Sequence, residues 1–235
     1  MKTAALLLCL LMASPAQACR LALALALDVS GSVDQTEYDL QMNGLADALT
    51  DADVRDALFA MPGAPVAIAV FEWSSSDYQR LVQDWVQIND DADLQALVAR
   101  LRGWKREPAP EATGLGAALG YGKALIDRNP GCWRKVLDVS GDGKNNDWPS
   151  PRDLKNKGRL GGMGINGLVV TRGGQSTMPT EAGDLVVYFQ ALVIQGPDAF
   201  VEVAQGFGDY ARAMRRKLLK ELETRPMGFL NEKRP

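Results

Sequence analysis

The feature that most constrains the fold is the segment 21–27, in which leucine and alanine alternate without interruption. By intrinsic propensity both residues favour a helix. The strict period of two instead predicts a strand with one face of large and one face of small residues, both apolar, as in a buried parallel sheet. Residues 28–32, Asp-Val-Ser-Gly-Ser, are typical of a turn. Asp34 and Glu37 then predict a helix start, so we interpret the segment as a strand.

The rest of the chain continues this alternation of strands and helices. Further strands are predicted at residues 65–73, 79–88, 133–140, 165–170 and 200–204, with 79–88 as a hairpin partner at a sheet edge. Helices are predicted from residue 35, over 53–59, 91–104 and 114–127, from residue 151, and over 185–192 and 207–223. We find neither an internal repeat nor a linker. The pattern predicts one α/β domain with a mostly parallel sheet and one antiparallel edge strand.

Composition excludes several kinds of functional site. The chain of 235 residues contains no histidine, which removes Ser-His-Asp and Cys-His catalysis and any histidine-based zinc site. A bound metal would therefore need mainly oxygen ligands, which favours Mg²⁺, Mn²⁺ or Ca²⁺. The net charge of −3 gives no electrostatic reason to expect nucleic acid or an anionic membrane as a partner.

The N-terminus has the pattern of a cleavable signal peptide over residues 1–18. Lys2 precedes an apolar stretch at 4–13, and residues 16–18, Ala-Gln-Ala, form a small-x-small cleavage site. The stretch is too short to span a bilayer, and Ser14-Pro15 argues against a buried helix. No later segment is long and apolar enough to span a membrane. We expect a mature domain at 19–225, a tail at 226–235, and a periplasmic or secreted location.

The cysteines leave two alternatives open. Cys9 would leave with the signal peptide, while Cys19 and Cys132 would remain in an oxidising compartment, where a disulfide is the first expectation. Because Cys19 directly follows the cleavage site, lipid modification of its sulfur is the second. Ala16 and Gln17 depart from the aliphatic-small-small run that usually precedes a lipidated cysteine, which ranks this alternative lower.

Oxygen-bearing side chains follow the predicted strands at three places. Asp28, Ser30 and Ser32 lie in the turn after the first strand, Thr113 opens a helix, and Asp142 follows the strand at 133–140. Each alone is more often a simple turn or helix cap. The carboxyl ends of parallel strands meet at one sheet edge, where ligand sites form. In combination these residues predict a site for one divalent cation.

This combination resembles the metal-ion-dependent adhesion site (MIDAS) of von Willebrand factor type A (vWA) domains. The likeness spans residues 21–222 in strand and helix order and is strongest to a bacterial exported subgroup of unknown function, by residues 71–74, 138–143 and 196–200. The threonine that the family places before Asp-Gly is Gly141 here, with Ser140 one place earlier. The resemblance implies a doubly wound, Rossmann-like sheet with helices on both faces.

The resemblance also implies a function. One divalent cation, Mg²⁺ first and Mn²⁺ or Ca²⁺ as alternatives, would be held by the five residues Asp28, Ser30, Ser32, Thr113 and Asp142. It would dock an Asp or Glu carboxylate of a protein partner, without catalysis. A metal-dependent hydrolase and a structural scaffold with a vestigial site stay as alternatives. The chain has no Gly-x-Ser-x-Gly motif and no further carboxylate cluster for a second metal, which disfavours the hydrolase.

The strand order of the family implies a disulfide. It places the first strand beside the strand that begins at Trp133, and Cys19 lies nine residues before Asp28 while Cys132 lies ten before Asp142. Neighbouring parallel strands that share one metal at their ends would bring both cysteines together at the opposite edge. We therefore predict a Cys19–Cys132 bond.

Three charged features are predicted to lie outside the metal ligands. Asp138 should be a buried carboxylate paired with a cation or hydroxyl. Glu72 ends the second predicted strand and is a candidate for the outer shell of the metal site. The last helix carries a basic stripe that we predict to be solvated. Its members are Arg212, Arg215, Arg216, Lys217 and Lys220.

Overall fold

The computed structural model describes residues 19–128, 131–171 and 179–223, so the predicted signal peptide and tail lie outside the described residues. Six strands form one sheet: β1 Cys19–Asp28, β2 Val66–Trp73, β3 Gln79–Ile88, β4 Cys132–Gly141, β5 Gly164–Val170 and β6 Val201–Ala204. The α-helices are α1 Gln35–Thr50, α2 Ala52–Phe59, α3 Asp91–Gly103, α4 Leu115–Asp127, α5 Pro151–Asn156, α6 Pro179–Tyr188 and α7 Tyr210–Leu222.

The strands are ordered β3-β2-β1-β4-β5-β6, and only the β2–β3 pair among them is antiparallel. This arrangement confirms the predicted mostly parallel sheet with one antiparallel edge strand. It also places β1 and β4 side by side at the centre, so that the turns after both strands open at the same sheet edge. No helix in the described part of the chain is long and apolar enough to cross a membrane.

The alternation in β1 is explained by the two faces of the sheet. All ten residues of the strand are buried. The leucines, such as Leu23 and Leu25, pack in a core cluster with side chains of α1, α3 and α7. The alanines Ala24 and Ala26 face the other layer, where α4 contributes Leu119. Small residues on that face let α4 lie close to the sheet.

A disulfide links the N-terminal ends of β1 and β4, at the edge of the sheet opposite the turns that follow these strands. It joins Cys19 and Cys132, which are directly paired in the β1–β4 register, across 113 residues of sequence. The bond confirms the predicted pairing, and it uses the sulfur that lipid modification of Cys19 would need. The neighbouring Arg20 is buried and donates to the carbonyl oxygens of Leu58 and Leu222 at 3.2 and 3.0 Å. These contacts fix the ends of α2 and α7 at the same edge.

The structure corrects one part of the prediction for the last helix. Lys217, assigned to the solvated basic stripe, is fully buried. Its Nζ lies 3.0 Å from Asp138 Oδ1 and 3.0 Å from Glu221 Oε1. Asn166 Nδ2 donates to the same Glu221 oxygen at 2.7 Å. Asp138 is therefore the buried, cation-paired carboxylate that the sequence predicted, and its partner is a lysine that charge patterning had placed in solvent.

Two further helical predictions differ in detail. The helix predicted at residues 185–192 is the end of α6 followed by a π-helical turn at Phe189–Val193. A 3₁₀ turn, Phe207–Asp209, precedes α7, which therefore begins later than residue 207. Periodicity detects these segments but does not distinguish helix types, because all of them place apolar residues on one face at similar spacing.

Candidate metal centre

The turn after β1 presents its oxygen atoms around the buried end of the strand. Asp28 is 1% exposed, and its Oδ1 accepts a hydrogen bond from the backbone N–H of Ser30 at 2.9 Å. The hydroxyl oxygens of Ser30 and Ser32 lie 3.4 Å apart. The amide of Gln41 on α1 donates to the carbonyl oxygen of Asp28 at 2.9 Å, which fixes the strand end against the helix.

The turn after β4 meets this first turn directly. Ser32 Oγ donates to Asp142 Oδ1 at 2.6 Å, although the two residues are 110 positions apart in sequence. Gly141 permits the approach, because a Cβ atom at this position would lie 3.0 Å from Asp28 Oδ2. This contact explains why a threonine, which vWA domains usually carry before the Asp-Gly pair, would not fit here without movement of Asp28.

Thr113 completes the group from a third element. It is 6% exposed and lies just before Gly114, the N-cap of α4. A Cβ atom built on Gly143 would lie 3.6 Å from Thr113 Oγ1, so the threonine hydroxyl borders the turn that carries Asp142. The structure thus brings Asp28, Ser30, Ser32, Thr113 and Asp142 together from three loops at one sheet edge.

The electrostatics of the group favour a cation. Burial, and next the like charge of Asp142, raise the pKa of Asp28 to about 7, while hydrogen bonding from Ser30 and from the backbone of Asp142 offsets only part of the effect. Asp28 Oδ2 is buried and has no hydrogen-bond partner in the part of the chain that is described. No Lys or Arg side chain of the described residues forms a salt bridge with Asp28 or Asp142. A buried carboxylate oxygen with neither a donor nor a counter-ion is the environment that a metal ion fits.

The ligand atoms that the five residues offer determine which kind of metal ion fits. Within the described residues, no three His, Cys, Asp or Glu side chains form a group that could hold a metal ion. The five residues instead offer two carboxylates and three hydroxyls, all oxygen atoms. Such a set matches hard cations, which take oxygen ligands and commonly keep bound water. It does not match the sulfur- and nitrogen-rich sites typical of structural zinc.

Sequence reasoning missed the loop that supports Thr113. Asn146 Oδ1 accepts from the backbone N–H of Thr113 at 2.7 Å, and Asn146 N–H donates back to the Thr113 carbonyl at 3.0 Å. Asn145 Oδ1 accepts from Gly116 N–H at 2.9 Å, and Asp147 Oδ2 accepts from Ser76 N–H at 2.8 Å. The run Asn-Asn-Asp shortly after Asp142 was the available signal, since such side chains often bind backbone groups in turns.

Glu72, the predicted outer-shell candidate, has a different role. Its carboxylate accepts from Tyr38 Oη at 2.5 Å and from Trp104 Nε1 at 3.0 Å, and Arg80 Nη1 lies 3.3 Å away. The interpretation was wrong because successive strand residues point to opposite faces, and Glu72 points into the layer of α1 and α3. It anchors the ends of these elements without a hydrogen bond to the five grouped residues.

Comparisons with known proteins identify the family and the fold. A profile of the family described as Protein of unknown function (DUF1194) matches residues 18–226. No curated protein matches the sequence. Among solved structures, proximal thread matrix protein 1 (PTMP1) from the mussel byssus is similar, with a TM-score of 0.59 and 15% identity over 87% of this chain and 47% of PTMP1. PTMP1 has also been solved with a zinc-occupied MIDAS motif, at a TM-score of 0.58 and 16% identity, over 87% of this chain and 46% of that one.

Two microbial proteins share the same fold. The pilus adhesin SpaC from Lactobacillus rhamnosus GG has a TM-score of 0.59 and 13% identity, over 87% of this chain and 31% of SpaC. The ArnB paralog VWA2 from Sulfolobus acidocaldarius has a TM-score of 0.53 and 11% identity, over 85% of this chain and 45% of VWA2. This chain therefore spans less than half of each of these proteins. The domain has a vWA fold, and the chain belongs to the DUF1194 family of proteins of unknown function.

Proposed function

We propose that this protein is an exported protein-binding domain that docks an acidic partner on one divalent cation. Asp28, Ser30, Ser32, Thr113 and Asp142 would hold the cation, with Mg²⁺ first and Mn²⁺ or Ca²⁺ as alternatives. The observation that carries the proposal is Asp28 Oδ2, which is buried beside Asp142 and lacks a donor or a counter-ion among the described residues. The vWA fold of an adhesin and a matrix protein supports this use of the site.

The charge balance of the five residues suits reversible docking. Two carboxylates balance the formal charge of a divalent cation, and the three hydroxyls add oxygen atoms without adding negative charge. The ion can therefore still attract one further carboxylate. When bound, the cation would supply a positive centre that accepts one further carboxylate oxygen. The residues of the chain would orient it: Ser32 is already hydrogen-bonded to Asp142, and Asn146 holds Thr113 through two backbone hydrogen bonds.

Several features support export and binding without catalysis. The Cys19–Cys132 disulfide is typical of an oxidising compartment, and the pattern at residues 1–18 is that of a signal peptide. The chain has no histidine, so the usual base of hydrolytic sites is missing from its sequence. The partner we propose is a protein that offers an Asp or Glu side chain.

A peptide-binding experiment tests the proposal. The mature chain, stripped of metal with EDTA, is titrated by microscale thermophoresis in Mg²⁺ and in EDTA. The ligand is a hexapeptide of one glutamate and five glutamines with an amidated C-terminus, so that the glutamate supplies its single carboxylate. We expect binding that requires Mg²⁺, is lost when the glutamate is replaced by glutamine, and is lost in Asp142→Ala. Equal binding in Mg²⁺ and in EDTA, or equal binding of the all-glutamine peptide, would contradict the proposal.

A further inference from the structure

A polar cavity of about 270 Å³ lies next to the turn that carries Ser30 and Ser32. Its walls come from the first turns of α1 and from the end of α3 with the segment that follows it. Three cationic side chains line it, Arg102, Lys105 and Arg106, against one carboxylate, Asp39. In a chain with a net charge of −3, this is a local concentration of positive charge.

Arg106 ties the cavity to the candidate metal site. Its Nη2 donates to the carbonyl oxygen of Val33 at 2.5 Å, and Val33 directly follows Ser32. The guanidinium also lies over the ring of Tyr38, 5.2 Å from the centroid. These two contacts hold the guanidinium group of Arg106 in place beside the turn. A ligand bound at the metal would have this positive group within reach of its next residues.

The positive charge of the cavity is only partly compensated. Arg102 forms a salt bridge with Asp47 at 2.8 Å, and Asp39 Oδ1 accepts a hydrogen bond from Gln35 Nε2 at 2.9 Å. Arg106 is bound by a neutral carbonyl group and an aromatic ring. Lys105 is exposed and forms no salt bridge with any described residue. An anion that enters the cavity would therefore meet two cations, Lys105 and Arg106, that have no carboxylate partner within the described chain.

We propose that this cavity is a second subsite for the same partner and selects an acidic peptide segment over a single carboxylate. The inference rests on the proposed function, because the first carboxylate binds at the metal. A second carboxylate a few residues away would then lie between Lys105 and Arg106. Such rim charges contribute little binding energy individually but discriminate between partners and raise the association rate.

Matched charge reversals test this subsite. Lys105→Glu is compared with Arg159→Glu, since Arg159 is exposed, follows α5 and carries the same change of charge. Both variants and the wild type are titrated with Mg²⁺, with the hexapeptide of one glutamate, and with hexaglutamate. We expect Lys105→Glu to weaken hexaglutamate binding about tenfold at low salt, because the charge reversal removes one attractive contact and adds one repulsive contact. The affinity for the single-glutamate peptide and for Mg²⁺ should stay within about twofold in both variants.

Each outcome separates the subsite from the metal site. If Mg²⁺ and the single-glutamate peptide bind but Lys105→Glu and Arg159→Glu weaken hexaglutamate equally, the effect is one of net charge and the subsite is wrong. If Mg²⁺ does not bind, yet hexaglutamate binds and only Lys105→Glu weakens it, the proposed function fails and the anion site stands. If neither Mg²⁺ nor hexaglutamate binds the wild type, both proposals fail.

Discussion

Two aspartates on neighbouring central strands, Asp28 and Asp138, are almost equally buried, at 1% and 2% exposed, but have opposite surroundings. Asp138 lies inside β4 with the ammonium of Lys217 at 3.0 Å. Asp28 lies at the end of β1 beside a second carboxylate, Asp142. Burial raises the pKa of both to about 7. At Asp138 the positive charge of Lys217 opposes the rise and the negative charge of Glu221 adds to it, whereas at Asp28 the charge of Asp142 adds to the rise and only hydrogen bonds oppose it.

The difference separates a carboxylate that serves the fold, Asp138, from the one that we propose binds a cation, Asp28. The buried charge of Asp138 has its counter-ion, Lys217, on the same chain, and this ion pair also links β4 to α7. A buried charge whose counter-ion is missing from the described chain destabilises the domain unless a ligand supplies the positive charge. Such a cost is expected at a binding site, where function and stability oppose each other.

The first prediction removes the internal cation. Lys217→Met should destabilise the domain by about 3–5 kcal/mol, because Asp138 and Glu221 would be left buried without a positive partner. Urea unfolding followed by circular dichroism measures the loss. Lys220→Met is the control, since its salt bridge with Glu202 is half exposed and should contribute less than about 1 kcal/mol. Equal losses in both variants would show that Asp138 does not depend on Lys217.

The second prediction concerns the edge of the sheet opposite the proposed metal site. Replacement of Cys19 and Cys132 by alanine opens a loop closed across 113 residues and should lower stability by about 2–5 kcal/mol. Thermal unfolding measures this change. Mg²⁺ affinity should be unchanged below the unfolding temperature, because the two cysteines and the five grouped residues lie at opposite ends of β1 and β4. A large loss of Mg²⁺ affinity in a folded variant would contradict this separation.

The third prediction removes one neutral oxygen atom from the site. Thr113→Val keeps the shape and the backbone hydrogen bonds to Asn146 but lacks the hydroxyl group. We expect Mg²⁺ affinity to fall about tenfold, in the range that loss of a metal-site contact gives. Unfolding without metal should change by less than about 1 kcal/mol. Thr36→Val, on the exposed start of α1, is the matched control and should leave both quantities unchanged.

The fourth and smallest effect is a gain of stability. At pH 8 and without metal, Asp28→Asn should stabilise the domain by about 1 kcal/mol, because it removes a buried charge beside Asp142 and keeps an acceptor for Ser30 N–H. Asp138→Asn should not stabilise, since Lys217 would lose one of its two carboxylates. Melting temperatures of the two variants in EDTA decide the point, and a lower value for Asp28→Asn would remove the contrast between the aspartates.

The strands of the sheet could be predicted from local sequence patterns. The two-residue period of β1 and the turn chemistry after it depend on neighbours in sequence, and the disulfide followed once strand order was assumed. Lys217 could not be placed in the same way, because its burial depends on Asp138 in a distant strand. The cavity at Lys105 was missed likewise, since α1 and the end of α3 form it jointly.

We propose above all that Asp28 is a ligand of a divalent cation. Isothermal titration of Mg²⁺ into the metal-stripped wild type and into Asp28→Asn tests it directly. We expect one binding event in the wild type, with a Mg²⁺-dependent rise in melting temperature, and neither effect in a folded Asp28→Asn. If the wild type shows no heat of binding and no rise in melting temperature, or if both proteins bind alike, the five grouped residues do not form a metal site.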